Sequence, residues 1–355
     1  MKKKLLALLL ACVMIAGLAA CSGGDTGDTQ PPETESPAGD TAAPADDTAE
    51  PAGDTTDTPS QSDGATYIVG ISQFVTHDAL DAATQGFKDA LNVLLGEGVV
   101  KFDYQNAAND PATCSTIANA FVSANVDLIM ANATPALQAA AAATADIPIM
   151  ATSITEYGVA LSINNFNGTV GGNISGTSDL APLDQQAAMI KEWCPDAKTV
   201  GLLYCANEPN SQYQVDTVQA FLEDMGYACT QYSFSDSNDI QSVCQTAADN
   251  SDVLYVPTDN AVASNTGIVD NICRGKIPVF CGEEAICAGC GVATLSISYY
   301  DLGYATGEMA AKILTGETDI STLPIGYASN FTPKYNPTIC DALGLTAPEG
   351  YETVG

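Results

Sequence analysis

The sequence predicts an α/β protein built as two doubly wound parallel-sheet lobes with a hinge and an interlobe cleft. Three observations predict it. Short, near-continuous apolar strands alternate with longer helical patterns; the alternation begins near residue 66 and restarts after Gly176-Thr177-Ser178-Asp179; and stretches of the two halves resemble each other. Strands apolar on both sides imply a parallel sheet covered by helices on both faces.

In the first half, residues 67–72 read as a buried strand. Ala79, Leu80, Ala83, Phe87, Ala90, Leu91 and Leu94 then recur at helical spacing behind Asp78, a candidate N-cap. A strand over 99–104, a helix opened by Pro111, a strand over 126–131, an alanine-rich helix over 135–144 and a strand over 147–150 follow. The second half repeats the order: helix 183–193, strand 199–204, helix 211–225, strand 227–234, helix 238–249, strand 252–256, a further helix and strand 277–280. The repeat aligns Asp127-Leu128-Ile129-Met130 with Asp252-Val253-Leu254-Tyr255, and Ile147-Pro148-Ile149-Met150 with Ile277-Pro278-Val279-Phe280. Thr134 then matches Asp259, and Ser153 matches Glu283. On this alignment 158–163 and 291–297 are matching strands, and the second copy carries extra residues that contain Cys287-Ala288-Gly289-Cys290.

Ahead of the lobes, Met1-Lys2-Lys3-Lys4 and the apolar run to Ala20 have the form of a secretory signal, too short for a permanent membrane span. Leu18-Ala19-Ala20-Cys21 matches the lipobox of bacterial lipoproteins, which makes 1–20 the signal peptide and Cys21 the lipidation site. The stretch that follows is almost wholly Asp, Glu, Thr, Ser, Pro, Gly and Ala. It cannot bury enough apolar surface to offset its ordering entropy, so 21–65 is expected to be a lipidated, disordered acidic tether. The expected location is the extracytoplasmic face of the cell membrane.

With 11 basic against 43 acidic residues and a formal net charge of −32, the chain is a poor partner for nucleic acid. Arg274, the sole arginine, has only Lys276 beside it, which also argues against phosphate ligands. One histidine and no nucleophile elbow leave no hydrolytic triad, and no phosphate loop or metal-spaced cluster is present. No catalytic residue, metal or cofactor is expected, and the chain reads as a binding protein rather than an enzyme. Of the 12 cysteines, Cys12 leaves with the signal and Cys21 takes lipid. The body is large enough to fold without disulfide staples. Cys287–Cys290 is the sole C-x-x-C and reads as a local disulfide or free thiols, not a zinc or redox site.

Ligands of open parallel sheets bind beyond the carboxyl ends of the strands, where helix N-termini present N–H groups. That rule selects loops 73–78, 133–135 and 152–153 in the first lobe, and 207–211, 258–260 and 283–284 in the second. The candidate ligand-binding residues are Gln73, Phe74, Thr134 and Ser153 on one side, and Glu208, Asn210, Ser211, Asp259, Asn260 and Glu283 on the other. First-lobe hydroxyls and amides suit a carboxylate; second-lobe carboxylates suit an ammonium. A zwitterion bridging the cleft satisfies both. Asp78, Ser211 and Asp259 also fit simple helix caps. His77, Trp193, Tyr299 and Tyr300 fit packing or surface roles.

Several short runs point to a known family. They are Val69-Gly70-Ile71-Ser72-Gln73-Phe74-Val75 with His77 and Ala79-Leu80-Asp81, Ala133-Thr134-Pro135, and Gly176-Thr177-Ser178-Asp179. To these add Leu203-Tyr204 with Glu208, Asn210 and Ser211, then Thr258-Asp259-Asn260, and Ser298-Tyr299-Tyr300-Asp301-Leu302-Gly303. Over about 67–345 the chain resembles the ABC-transporter substrate-binding lipoproteins, which include tryptophan- and tyrosine-binding members. The resemblance implies a type I periplasmic-binding fold with three hinge crossings. On that plan 66–177 joined by about 298–325 forms the first lobe, and 178–297 joined by about 326–355 the second. It also implies a small-molecule ligand, an aromatic amino acid foremost, and the permease and ATPase subunits of an importer as partners. The Cys287–Cys290 stretch departs from the family pattern. A sugar or nucleoside-type receptor, or a sensory lipoprotein, is the alternative, although the one Trp lies away from the selected loops.

Overall fold

The computed structural model describes residues 66–354 apart from Ser329; the signal, Cys21 and the acidic segment lie outside the described residues. The chain first lays down β1 (Tyr67–Gln73), α1 (Asp78–Leu95), β2 (Val100–Asn106), α2 (Pro111–Ala124), β3 (Leu128–Asn132), α3 (Thr134–Ala143), β4 (Ile149–Ile154), the single turn α4 (Tyr157–Ala160) and β5 (Ile174–Ser178). It then crosses to a second sheet through α5 (Leu183–Trp193), β6 (Thr199–Cys205), α6 (Pro209–Asp224), β7 (Ala228–Phe234), α7 (Ile240–Asn250), β8 (Val253–Val256), α8 (Asn260–Ala263), α9 (Thr266–Cys273), β9 (Val279–Cys281), α10 (Glu284–Cys290) and β10 (Ala293–Ser296). It returns with α11 (Tyr299–Leu314) and β11 (Gly326–Tyr327), and crosses a last time to β12 (Thr332–Tyr335), α12 (Pro337–Leu343) and β13 (Glu352–Thr353).

The first sheet runs β11-β5-β4-β3-β1-β2 and is parallel throughout. The second runs β13-β12-β10-β9-β8-β6-β7, with β12 antiparallel to β10. The two doubly wound lobes expected from the strand–helix order are therefore present. Every residue of β3, β4, β5, β8, β9 and β10 is buried, whereas the edge strands β2 and β7 mix buried with exposed positions. Strand alternation divides the first-lobe core: Val69, Ile71 and Met130 pack toward α1 and α11, while Ile129 and Ala131 pack with residues of α2 and α3.

Helix α11 docks on α1 at very short range. A Cβ placed on Gly303 would run into the Ala83 carbonyl, and one on Gly86 into the Tyr300 carbonyl. Both glycines are there so that two backbones can approach, and the approach fixes the N-terminus of α11 against the first lobe.

The structure corrects several local expectations. Residues 158–163 are not a strand: Tyr157–Ala160 is a helical turn capped by Glu156, whose carboxylate accepts the Val159 N–H at 2.5 Å. A short apolar run does not distinguish strand from buried helix. The strand beside β4 is β5, so β5 is the counterpart of β10, and the longer connection belongs to the first lobe. Cys287–Cys290 lies on α10, the counterpart of α4, and not in an insertion. The last crossing follows Tyr327, two residues beyond the expected boundary, because Gly326 and Tyr327 pair with Thr177 and Ser178. His77, not Asp78, holds the N-cap position of α1, with no side-chain cap bond. Ser211 lies inside α6, whose N-cap position is Glu208, while Asp259 does cap α8 through Val262 N–H.

Candidate functional site

The carboxyl ends of the strands of both sheets meet at one buried pocket whose free space is about 10 Å³, room for about one water, so a larger ligand needs the cleft to open around it. Its walls are His77 and Leu80 after β1, Ser153 and Thr155 around the end of β4, and Asp179 after β5. From the other lobe come Asn210 after β6, Thr258, Asp259, Asn260 and Ala263 after β8, and Glu283 after β9, while Tyr299 opens α11, which docks on the first lobe. A larger groove of about 620 Å³ runs beside the crossings. Its Asp301, Glu308 and Lys312 are solvent-facing, and its Lys334 pairs with Glu284 at 2.8 Å.

Ser153 reaches the pocket through a backbone irregularity. β4 pairs Ala151 with Gly176 and Ile154 with Ser178, so Thr152 and Ser153 together oppose Thr177. Ser153 takes φ 57°, unusual for a residue with a Cβ. Such a bulge re-aims a side chain at the end of a strand. The Ser153 hydroxyl is buried and has no hydrogen-bond partner in the protein.

Three acceptors face the same space. Asp179 Oδ2 accepts the Tyr299 hydroxyl at 2.9 Å, which leaves Oδ1 buried and unpartnered. The Asn210 amide nitrogen donates to the Thr258 carbonyl at 3.0 Å, which orients Oδ1 away, also unpartnered. His77 Nε2 lies 3.2 Å from Asn260 Oδ1, and the Asn260 amide nitrogen is already committed to Glu208 at 2.6 Å. Asn260 Oδ1 must therefore accept from Nε2–H, so the unpartnered Nδ1 carries the lone pair. Burial pushes the His77 pKa down, in keeping with a neutral ring. The same bond ties the first-lobe loop to the second-lobe helix α8.

The acids differ in how much of their capacity is spent. Glu208 accepts Asn260 N–H at 3.1 Å and Ala261 N–H at 2.9 Å, and Asp259 accepts Cys205 N–H at 2.7 Å and Val262 N–H at 2.9 Å. Glu283 accepts Ala285 N–H at 3.0 Å and Ile286 N–H at 2.9 Å, capping α10. Burial raises the pKa of all four acids, Asp179, Glu208, Asp259 and Glu283, with Glu283 pushed up to about 7. Asp259 adds to the rise at Glu208 by like-charge repulsion. No Lys or Arg lines the pocket.

Of the residues selected from sequence, Ser153, Asn210, Asp259, Asn260 and Glu283 line this pocket. Gln73, Phe74, Thr134, Glu208 and Ser211 do not. The Gln73 amide is consumed by the Val75 carbonyl, Asp81 and Thr84, and Phe74 packs in the first-lobe core. Thr134 is buried at the start of α3. Glu208 is spent on α8, and the Ser211 hydroxyl is taken up beside Asn210 and Asp259. His77 and Thr258 fall in the loops the strand-end rule selects without being candidates, and Asp179, Thr155 and Tyr299 lie outside those loops. Asp179 follows β5, which the strand expected at 158–163 hides, and Tyr299 follows β10, whose end is not among the six loops.

A family model described as ABC transporter substrate binding protein matches residues 68–352. This chain belongs to that family. A curated relative, the tyrosine-binding protein of Clostridioides difficile, is 35% identical over 331 residues, covering 91% of this chain and 87% of the relative. Among solved structures, an ABC domain in complex with L-Trp from Streptococcus pneumonia superposes with a TM-score of 0.76 at 32% identity, over 80% of this chain and 96% of that one. The ligand-free, open structure of a substrate-binding protein with adhesive properties from Clostridium difficile gives 0.62 at 37% identity, over 81% of this chain and 99% of the other. In this chain the His77–Asn260 bond brings loops of the two lobes within hydrogen-bond distance across the cleft. Neighbours such as a myo-inositol-bound solute-binding protein from Bacillus halodurans, at 14% identity and a TM-score of 0.58, share the fold alone.

Proposed function

We propose that this substrate-binding protein captures a zwitterionic amino acid with an aromatic side chain by closing its two lobes on it, and hands it to the permease and ATPase subunits of an importer. The observation that carries the reading is a pocket lined by no Lys or Arg in which three buried acceptors, His77 Nδ1, Asp179 Oδ1 and Asn210 Oδ1, have no partner in the protein. An ammonium group has three N–H donors, matching them in number. The Ser153 hydroxyl, also unpartnered and lining the same pocket, is a donor for the ligand carboxylate, which needs no Lys or Arg when helix-end N–H groups and hydroxyls are at hand. The tyrosine-binding and L-Trp-bound relatives support an aromatic side chain. The lipobox at Cys21 and the acidic segment behind it support anchoring by lipid on the extracytoplasmic face.

Calorimetric titration with L-tyrosine, L-tryptophan and their deaminated analogues tests the ligand. Saturable binding of the amino acids, with the analogues at least tenfold weaker, is the expected result; selective binding of neutral sugars would replace this reading. Anchoring is tested by fatty-acid labelling in cells: wild type is labelled, and Cys21→Ala is not and is shed from the membrane.

A further inference from the structure

Away from the cleft, the second lobe concentrates sulfur. Cys205, Cys244, Cys273, Cys281, Cys287 and Cys290 share one apolar cluster, and all are free thiols. Cys287 and Cys290 of the C-x-x-C both engage Cys281, and Cys290 Sγ also donates to the Ile286 carbonyl at 3.3 Å. A different pair stands out by geometry. Cys244 on α7 and Cys273 at the end of α9 come from helices that pack side by side, and their sulfurs lie 3.8 Å apart. Both are fully buried. A disulfide needs sulfurs about 2.05 Å apart, so neither helix has to be displaced far.

We propose that Cys244 and Cys273 are a disulfide-forming pair that cross-links α7 to α9. The chain between them carries β8, the Thr258-Asp259-Asn260 loop and α8. The bond therefore closes a covalent loop around the segment that brings Asp259 and Asn260 to the cleft. Constraining that loop in the unfolded chain stabilises the second lobe.

The chemistry is a two-step exchange with a small-molecule disulfide of the glutathione type. In the folded protein the two thiols share a contact in which either can donate; once the helices part, either can be the first nucleophile, taken here as Cys244. The Cys244 thiolate attacks one sulfur of the small disulfide, forming a mixed disulfide and releasing one thiolate, which takes a proton. Cys273 then loses its proton and attacks Cys244 Sγ, expelling the second thiolate. Two protein thiols are oxidised, one small disulfide is reduced to two thiols, and the protons balance. Because both sulfurs are buried, exchange requires α7 and α9 to be apart, during folding or local opening.

The test uses the full chain, unfolded and refolded in a glutathione redox buffer, alkylated and mapped by mass spectrometry. A protease cutting at Asp and Glu is needed, because no Lys or Arg lies between Lys198 and Arg274. The expected result is a Cys244–Cys273 linked peptide and a Tm about 5 °C or more above the reduced protein. Both should vanish in Cys273→Ala and in either Cys244→Ala or Cys244→Ser, whichever folds better. Full alkylation of both cysteines after oxidative refolding, a link to another cysteine, or a Tm rise that survives Cys244→Ala would each overturn the proposal.

Discussion

Asp179→Asn separates charge from shape in the cleft. Asp179 is buried after β5, with Oδ2 accepting the Tyr299 hydroxyl at 2.9 Å and Oδ1 unpartnered. An asparagine at this position keeps an oxygen for Tyr299 and removes only the negative charge. A hydrogen bond to a charged group is worth about 1.5–3 kcal/mol, so L-tyrosine or L-tryptophan should bind about 10- to 150-fold more weakly. The deaminated analogue, which has no ammonium, should lose less than about threefold, and the double-mutant cycle built from the four affinities isolates the pair. Stability moves the other way. Burial raises the folded-state pKa of Asp179 above its ordinary value, so the unfolded chain releases this proton first as pH rises. Ionisation therefore costs stability as pH climbs through the folded-state pKa, and the unliganded Asn variant should be at least as stable as wild type at pH 7.5. Equal losses for the amino acid and its analogue, or a destabilised variant at neutral pH, would refute the assignment of Asp179 to the ammonium.

Ser153→Ala should weaken the amino acid by about 0.5–1.5 kcal/mol through the lost carboxylate donor, while a carboxamide analogue of the ligand is less affected in the same titration. Glu283, held near pH 7 by burial, should give up its proton when an ammonium arrives. Binding at pH 7 should thus release protons, seen as an enthalpy that changes with the ionisation heat of the buffer, and affinity should rise from pH 6 to pH 8. Gly303→Ala drives a methyl group into the Ala83 carbonyl and should cost about 1–3 kcal/mol in denaturant unfolding. It should also weaken ligand binding, because Tyr299 opens the helix that this contact seats.

Most of the fold is legible because parallel strands buried on both faces leave continuous apolar runs, as in 126–131 and 252–256, and their helices keep a 3.6-residue period. The strand ends then locate the loops. The failures are physical as well. Gly158-Val159-Ala160 is as apolar as a strand, but Glu156 supplies an N-cap that turns it into helix. β5 is the less conspicuous Ile-Ser-Gly-Thr-Ser, whose Ser175 donates to the Leu323 carbonyl at 3.0 Å and whose Thr177 lies 2.8 Å from Thr306 Oγ1. A polar strand satisfied by a distant segment carries no local signal. The same limit applies to Glu208: an acid at a strand end looks like a ligand contact until α8 is seen to use it.

Closure of the lobes and the charge of the ligand are linked through the buried acids. Glu283 is raised from an ordinary 4.5 to about 7, with burial the largest cause and Asp179 a smaller one. Keeping it ionised in the folded protein above pH 7 costs about 3 kcal/mol. Part of that cost comes from the opposing lobe and is relieved when the cleft opens to water. An ammonium placed among Asp179, Asn210 and His77 supplies the counter-charge, so it interacts more favourably with the closed form than with the open one, which is what a ligand must do to shift the population. The sign of the pH dependence follows. Without ligand, the urea midpoint should fall as pH rises from about 4.5 to 7, because the unfolded chain loses the Glu283 proton before the folded one does. With saturating amino acid the fall should be shallower, and in Glu283→Gln the slope should be shallower than in wild type and less changed by ligand, the remainder coming from Asp179, Glu208 and Asp259. A wild-type midpoint that rises across this window, or a slope unchanged by Glu283→Gln, would disconnect Glu283 from closure.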